Sequence, residues 1–196
     1  MKTLSRRTKY LAFGALMIVF LFENVCFAEK STRRGESIEG FRELKWGVSV
    51  EQARNIYKDL YFDQYVLADH KDEPSKVYFR KDENGVIDNV SFDSVEYWFR
   101  RNDFYRIRAI LHSRFGPRTL VTRAEASWDQ MAEYLRREYG EPKEHRADYA
   151  TEFLVVVKEM RWKAGGVFIH LKYKGPEGAD EDQLIFEMES RPEGRP

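Results

Sequence analysis

The sequence predicts an antiparallel α+β domain made of two αβββ-like halves, with the helices packed on one face of the sheet. Three observations carry this. Two short segments open with serine capping boxes and continue with apolar residues at helical spacing. The segments between and after them switch to a period of two, as half-buried strands do. The resulting order is helix, three strands, helix, three strands, and each half is too small to bury its own apolar face.

The first helix starts at Ser49-Val50-Glu51-Gln52, where the serine oxygen suits the third helical amide and the glutamine reaches back. Ala53, Ile56, Tyr57 and Leu60 follow on one stripe. Residues 77–80 form a short strand, and residues 90–99 and 103–113 a hairpin. A three-residue loop Arg100-Arg101-Asn102 places Asn102 in the left-handed region, which asparagine tolerates well. That register pairs Val95 with Ile107 and Tyr97 with Tyr105 on one face, and Glu96 with Arg106 and Trp98 with Phe104 on the other.

The second helix is expected to begin at the capping box Ser127-Trp128-Asp129-Gln130. Trp128, Met131, Leu135 and Tyr139 make its stripe, Gly140 stops it, and Pro142 prevents continuation. Strands over 151–162 and 167–174 flank the turn Lys163-Ala164-Gly165-Gly166. Val167, Ile169, Leu171 and Tyr173 alternate there with Phe168, His170, Lys172 and Lys174. Leu184, Phe186 and Met188 mark the last strand.

Residues 1–28 read as a signal peptide. Lys2, Arg6, Arg7 and Lys9 precede twelve uncharged, mostly apolar residues at 11–22, and Ala28 closes a small-residue cleavage site. A spanning helix needs about 20 apolar residues, so cleavage is the expectation and a retained anchor the alternative. Residues 29–37 form a flexible lead-in, 38–190 a single domain and 191–196 a disordered tail. The expected location is the periplasm or the exterior, with membrane contact only through the signal.

Cleavage after Ala28 removes four basic residues and one acid, leaving 29 basic and 32 acidic residues, net −3. Such a balance offers no footprint for nucleic acid. Cys26, the single cysteine, leaves with the signal, which excludes disulfides, thiolate metal sites and a cysteine nucleophile from the mature chain. No two histidines among His70, His112, His145 and His170 have helical metal-ligand spacing. The mixed cluster Asp69-His70-Lys71-Asp72-Glu73 reads as a solvated loop. The chain has no Gly-x-Ser-x-Gly elbow and no phosphate-cradling glycine loop. Ser49 and Ser127 are explained as caps. No cofactor is implied.

Several segments together resemble a group of uncharacterised bacterial exported proteins. They are 41–49 (FRELKWGVS), 78–81 (YFRK), 94–99 (SVEYWF) running on to Phe104 and Tyr105, then Tyr139-Gly140, Arg161-Trp162 and 167–173. Asn102 departs from the pattern, where glycine or aspartate is more usual. The resemblance implies export and brings no catalytic residues with it. The duplicated helix-plus-strands outline is also similar to β-lactamase-inhibitor-type proteins and to small envelope-assembly lipoproteins, which are protein-binding modules.

The hairpin's second face is the candidate interaction surface: Trp98, Phe104, Arg106, Arg108 and His112. Tryptophan and arginine are enriched at binding hot spots, though cross-strand stabilisation explains the same residues. The expected function is a non-catalytic binding or interaction module of the cell envelope with an envelope protein partner. The alternatives are a small hydrolase with a carboxylate/His site, or a lipid or small-molecule carrier.

Overall fold

A computed structural model describes residues 38–63, 75–114, 121–150, 155–175 and 181–191. The chain divides into two units, 1–32 and 33–196, and every described residue lies in the second. The expected signal peptide, the expected lead-in, the cluster at 69–73 and all but Arg191 of the expected tail lie outside the described residues.

The fold is α+β. An eight-stranded sheet runs in the order β3-β4-β7-β8-β12-β11-β10-β9, and every neighbouring pair is antiparallel. Its strands are β3 (Leu60–Phe62), β4 (Ser75–Arg80), β7 (Ser94–Arg100), β8 (Asp103–Arg114), β9 (Glu144–Ala150), β10 (Val155–Ala164), β11 (Val167–Lys174) and β12 (Glu181–Ser190). Two small ribbons stand apart, β1 (Gly40–Phe41) with β2 (Leu44–Lys45), and β5 (Val86–Ile87) with β6 (Val90–Ser91). The helices are α1 (Val50–Ile56) and α2 (Arg123–Tyr139).

Each helix is followed by four strands of the large sheet, not the expected three. The additional strand in the second half is β9. Its Glu144 to Asp148 are all exposed, so no apolar alternation announces it. It lies at the sheet edge, where charged side chains discourage pairing with other chains. The strand expected over 90–99 divides into β6 and β7.

The capping box of α1 forms as the sequence predicts. Gln52 N–H donates to Ser49 Oγ at 3.2 Å, and Ser49 N–H to Gln52 Oε1 at 2.8 Å. The helix is shorter than expected. Tyr57 is extended at φ −111°, Leu60 already belongs to β3, and Ile56 is exposed rather than on the buried stripe.

For α2 the cap is a correction. Thr122, not Ser127, caps the helix, accepting from Glu125 N–H at 3.1 Å. The earlier start places Ala124 on the stripe with Trp128, Met131 and Leu135, all buried. Gly140 ends the helix at φ 79°, as expected. Replacing Thr122 with alanine is expected to cost about 2 kcal/mol, at the upper end for a cap because its hydroxyl also bonds Asp182. Ser127→Ala should stay within about 0.5 kcal/mol, since alanine suits a helix interior. Urea unfolding of the two variants decides which residue is the cap.

The β7–β8 hairpin also departs from its expected register. The loop has two residues, Arg101 and Asn102, both at positive φ (50° and 76°). A bulge follows, leaving Tyr105 unpaired between the pairs Phe99–Phe104 and Trp98–Arg106. Beyond it Tyr97 faces Ile107, Val95 faces Ala109 and Glu96 faces Arg108. The extra residue keeps Val95, Tyr97 and Ile107 on the core face but exchanges Phe104 and Tyr105. Phe104 turns into the core and stacks on Trp46 at 4.9 Å, while Tyr105 joins Val77 and Trp98 on the other face.

One core joins both helices to one face of the sheet. Val50 and Ala53 of α1 and the α2 stripe pack with Tyr97, Ile107, Leu111, Ile169, Leu171, Leu184 and Phe186. In β11, Val167, Ile169, Leu171 and Tyr173 point into it, as their alternation predicts. The turn at Gly165-Gly166 also forms, with φ of 53° and 79° that favour glycine.

Candidate functional site: the outer face of the sheet

The strand register lines up side chains into rows across the outer face, the face turned away from the helices. The first row runs Trp98–Arg106–Glu189–Phe168–Lys163. The second runs Glu96–Arg108–Glu187–His170–Arg161–Glu144. The third includes Ile110, Ile185, Lys172, Glu159 and Arg146. Residues directly opposite on antiparallel strands are close enough to pair, and opposite charges there stabilise the sheet.

The pairs are made. Arg106 donates to Glu189 at 2.6 Å and Arg108 to Glu187 at 2.7 Å. Arg191 also donates to Glu189, at 2.9 Å. His170 stands 3.6 Å from both Glu187 and Glu159, and Lys172 is 3.3 Å from Glu159. Arg161 reaches Glu144 at 2.9 Å and Glu159 at 3.1 Å. At the β7 end, Trp98 Nε1–H donates to Glu96 at 2.9 Å, and the guanidiniums of Arg106 and Arg108 lie 5.7 and 5.9 Å from the Trp98 ring.

These contacts set the charge states. Burial raises the pKa of Glu187, but the neighbouring His170, the hydrogen bond and charge of Arg108, and the charge of Arg106 outweigh it and bring the group down to about 2. Burial likewise opposes ionisation of Glu189 and Glu159, and their basic partners hold both below the ordinary range. Glu96 goes the other way. It is 7% exposed, and burial raises its pKa despite the Trp98 bond and Arg108.

Four of the five predicted surface residues lie on this face: Trp98, Arg106, Arg108 and His112. Phe104 does not, because the bulge turns it into the core, where it is 1% exposed. Trp98 is itself only 3% exposed, and Arg106 is tied to Glu189, so this pair is part of the face's own packing. His112 is exposed at the row end, its backbone N–H bonded to Asp93 at 2.6 Å. The structure adds Glu187, Glu189, His170, Glu159, Arg161 and Phe168. Their alternation was legible in the sequence, but their partners on other strands were not.

A concavity of about 830 Å³ opens on the helix side, between the C-terminal end of α2 and the sheet. Phe41, Ile87, Phe186 and Met188 line it, with Tyr134 and Arg42 among its polar groups. Arg42 is tied to Glu83, Asn84 and the Val86 carbonyl. Among the described residues, no three His, Cys, Asp or Glu side chains are placed to hold a metal ion. Comparison with protein-family models, curated proteins and solved structures found no match for this chain.

Proposed function

We propose that the mature chain is an exported, non-catalytic binding module of the cell envelope that docks a protein partner on the outer face of its sheet. The observation that carries this is the row pattern. Carboxylates and cations on five strands neutralise one another in place, which makes a broad, ordered polar surface around the exposed Phe168. Preformed side chains lose less entropy on association. The signal-like residues 1–28 supply the argument for export.

The internal duplication belongs to the same reading. It is supported by the sheet order, in which four strands following α1 meet four strands following α2 at the β8–β12 pair. The resemblance to exported proteins and to inhibitor-type binding modules points the same way, as an analogy of outline. A carrier of small apolar molecules is the second reading, favoured by the cleft of about 830 Å³ between α2 and the sheet.

Site-specific cross-linking in whole cells tests the proposal. A benzoylphenylalanine at Lys172, on the outer face, is expected to give a discrete adduct on a chain whose N-terminus is Glu29. The same photoprobe at Glu133, exposed on α2, should give none. Equal labelling from both positions, or a chain retained in the cytoplasm, overturns the proposal.

A further inference from the structure

We infer that one corner of the outer face is the docking groove, and that it takes an acidic polypeptide segment with an apolar side chain seated on Phe168. This rests on the outer-face reading and names the partner's chemistry. The groove, of about 530 Å³, lies where β9 stops pairing at Glu144–Arg161 while β10 and β11 run on to the Gly165-Gly166 turn. Phe168 is 36% exposed there, whereas Trp98, the aromatic at the other end of the same row, is 3% exposed. Two cations flank the Phe168 ring, Lys163 Nζ at 5.3 Å and Arg191 Cζ at 4.7 Å.

The charge balance of the groove identifies the partner's sign. Its three carboxylates are already held, Glu189 by Arg106 and Arg191, Glu187 by Arg108, and Glu144 by Arg161. Lys143 and Lys163 also line the groove, and no described carboxylate forms a salt bridge with either. The groove therefore carries surplus positive charge on a mature chain whose net charge is −3. Exposed surplus charge beside an exposed aromatic attracts an oppositely charged segment with an apolar anchor. Two lysines without a carboxylate partner among the described residues, bordered by fixed carboxylates, suit spaced side-chain carboxylates. A dense polyphosphate needs a continuous basic track.

The test is a titration of the isotopically labelled mature chain, followed by backbone amide shifts. The probe is a short peptide of alternating glutamates with one central phenylalanine. Shifts are expected at Lys143, Lys163, Phe168 and Arg191, with affinity falling as salt is raised. Lys143→Glu with Lys163→Glu, and separately Phe168→Ala, should each weaken binding at least about tenfold. Lys143→Gln with Lys163→Gln serves if the charge-reversed chain does not fold. The inference is overturned if the shifts fall elsewhere or the lysine variants bind as well as the parent. It is equally overturned if vesicles of anionic phosphatidylglycerol move these amides while the peptide does not. A specific adduct at position 172 together with any of those results removes the acidic-peptide inference and leaves the outer-face proposal standing.

Discussion

Asp182→Ala is expected to lower the unfolding free energy by about 3 kcal/mol, because it leaves two buried hydroxyls without their acceptor. Asp182 is fully buried. Its Oδ2 accepts from the Tyr173 hydroxyl at 2.8 Å and from the Thr122 hydroxyl. Thr122 caps α2, Tyr173 is on β11 and Asp182 is on β12, so one carboxylate ties the start of the helix to two strands. Opposite Asp182 on β8, Ser113 Oγ accepts from Ala124 N–H at 3.1 Å, a second tether for the same turn. Tyr173 registers the bond: burial, and then the bond to Asp182, push its phenol pKa well above the ordinary value. Asp182→Asn keeps an acceptor and should lose less, about 1 kcal/mol. Urea unfolding at neutral pH measures both. A loss below about 1 kcal/mol for the alanine variant would show that the hydroxyls find other partners.

Acid should destabilise the outer face next most strongly. Glu187 titrates at about 2 in the folded chain against an ordinary 4.5. A carboxylate with a lowered pKa stabilises the fold above its unfolded value, and that stability is lost as pH falls through the folded one. The loss from Glu187 alone is about 3 kcal/mol between pH ~5 and pH ~2. Glu189 and Glu159, also lowered, add in the same direction. Glu96, raised by burial, opposes them, since its protonated form is favoured by folding. Unfolding free energies measured from pH 7 to pH 2 should therefore fall steeply below pH ~5. Glu187→Gln should flatten that fall, and an unchanged profile in the variant would remove Glu187 from the account.

Legibility differed with the range of the interaction. The α1 capping box was readable because its partners are three residues apart, and it forms at the expected atoms. The α2 stripe was readable for the same reason, yet its cap was not. Ser127 has the right spacing for a box, but Thr122 wins because it also bonds Asp182, sixty residues away. The hairpin shows the same limit. Asn102 takes the positive φ its side chain favours, but the bulge at Tyr105 answers to packing on both faces of the sheet. Of the five surface residues read from the chain, only Phe104 changed face, and the bulge is the reason.

The sequence by itself determined what is local and periodic. It set the α+β class, the alternation of β11 and β12, the start of α1, the glycine stops and the position of the single cysteine, Cys26, among the signal-like residues 1–28. The tertiary structure decided what depends on pairing between distant segments. It placed the exposed β9 at the edge of the sheet, closed Asp182 under the N-terminus of α2, and matched Glu189, Glu187 and Glu144 of the outer face to their arginines. The physical reason is that a side chain's direction follows from its own strand, while its partner follows from register. Register is a property of two strands at once.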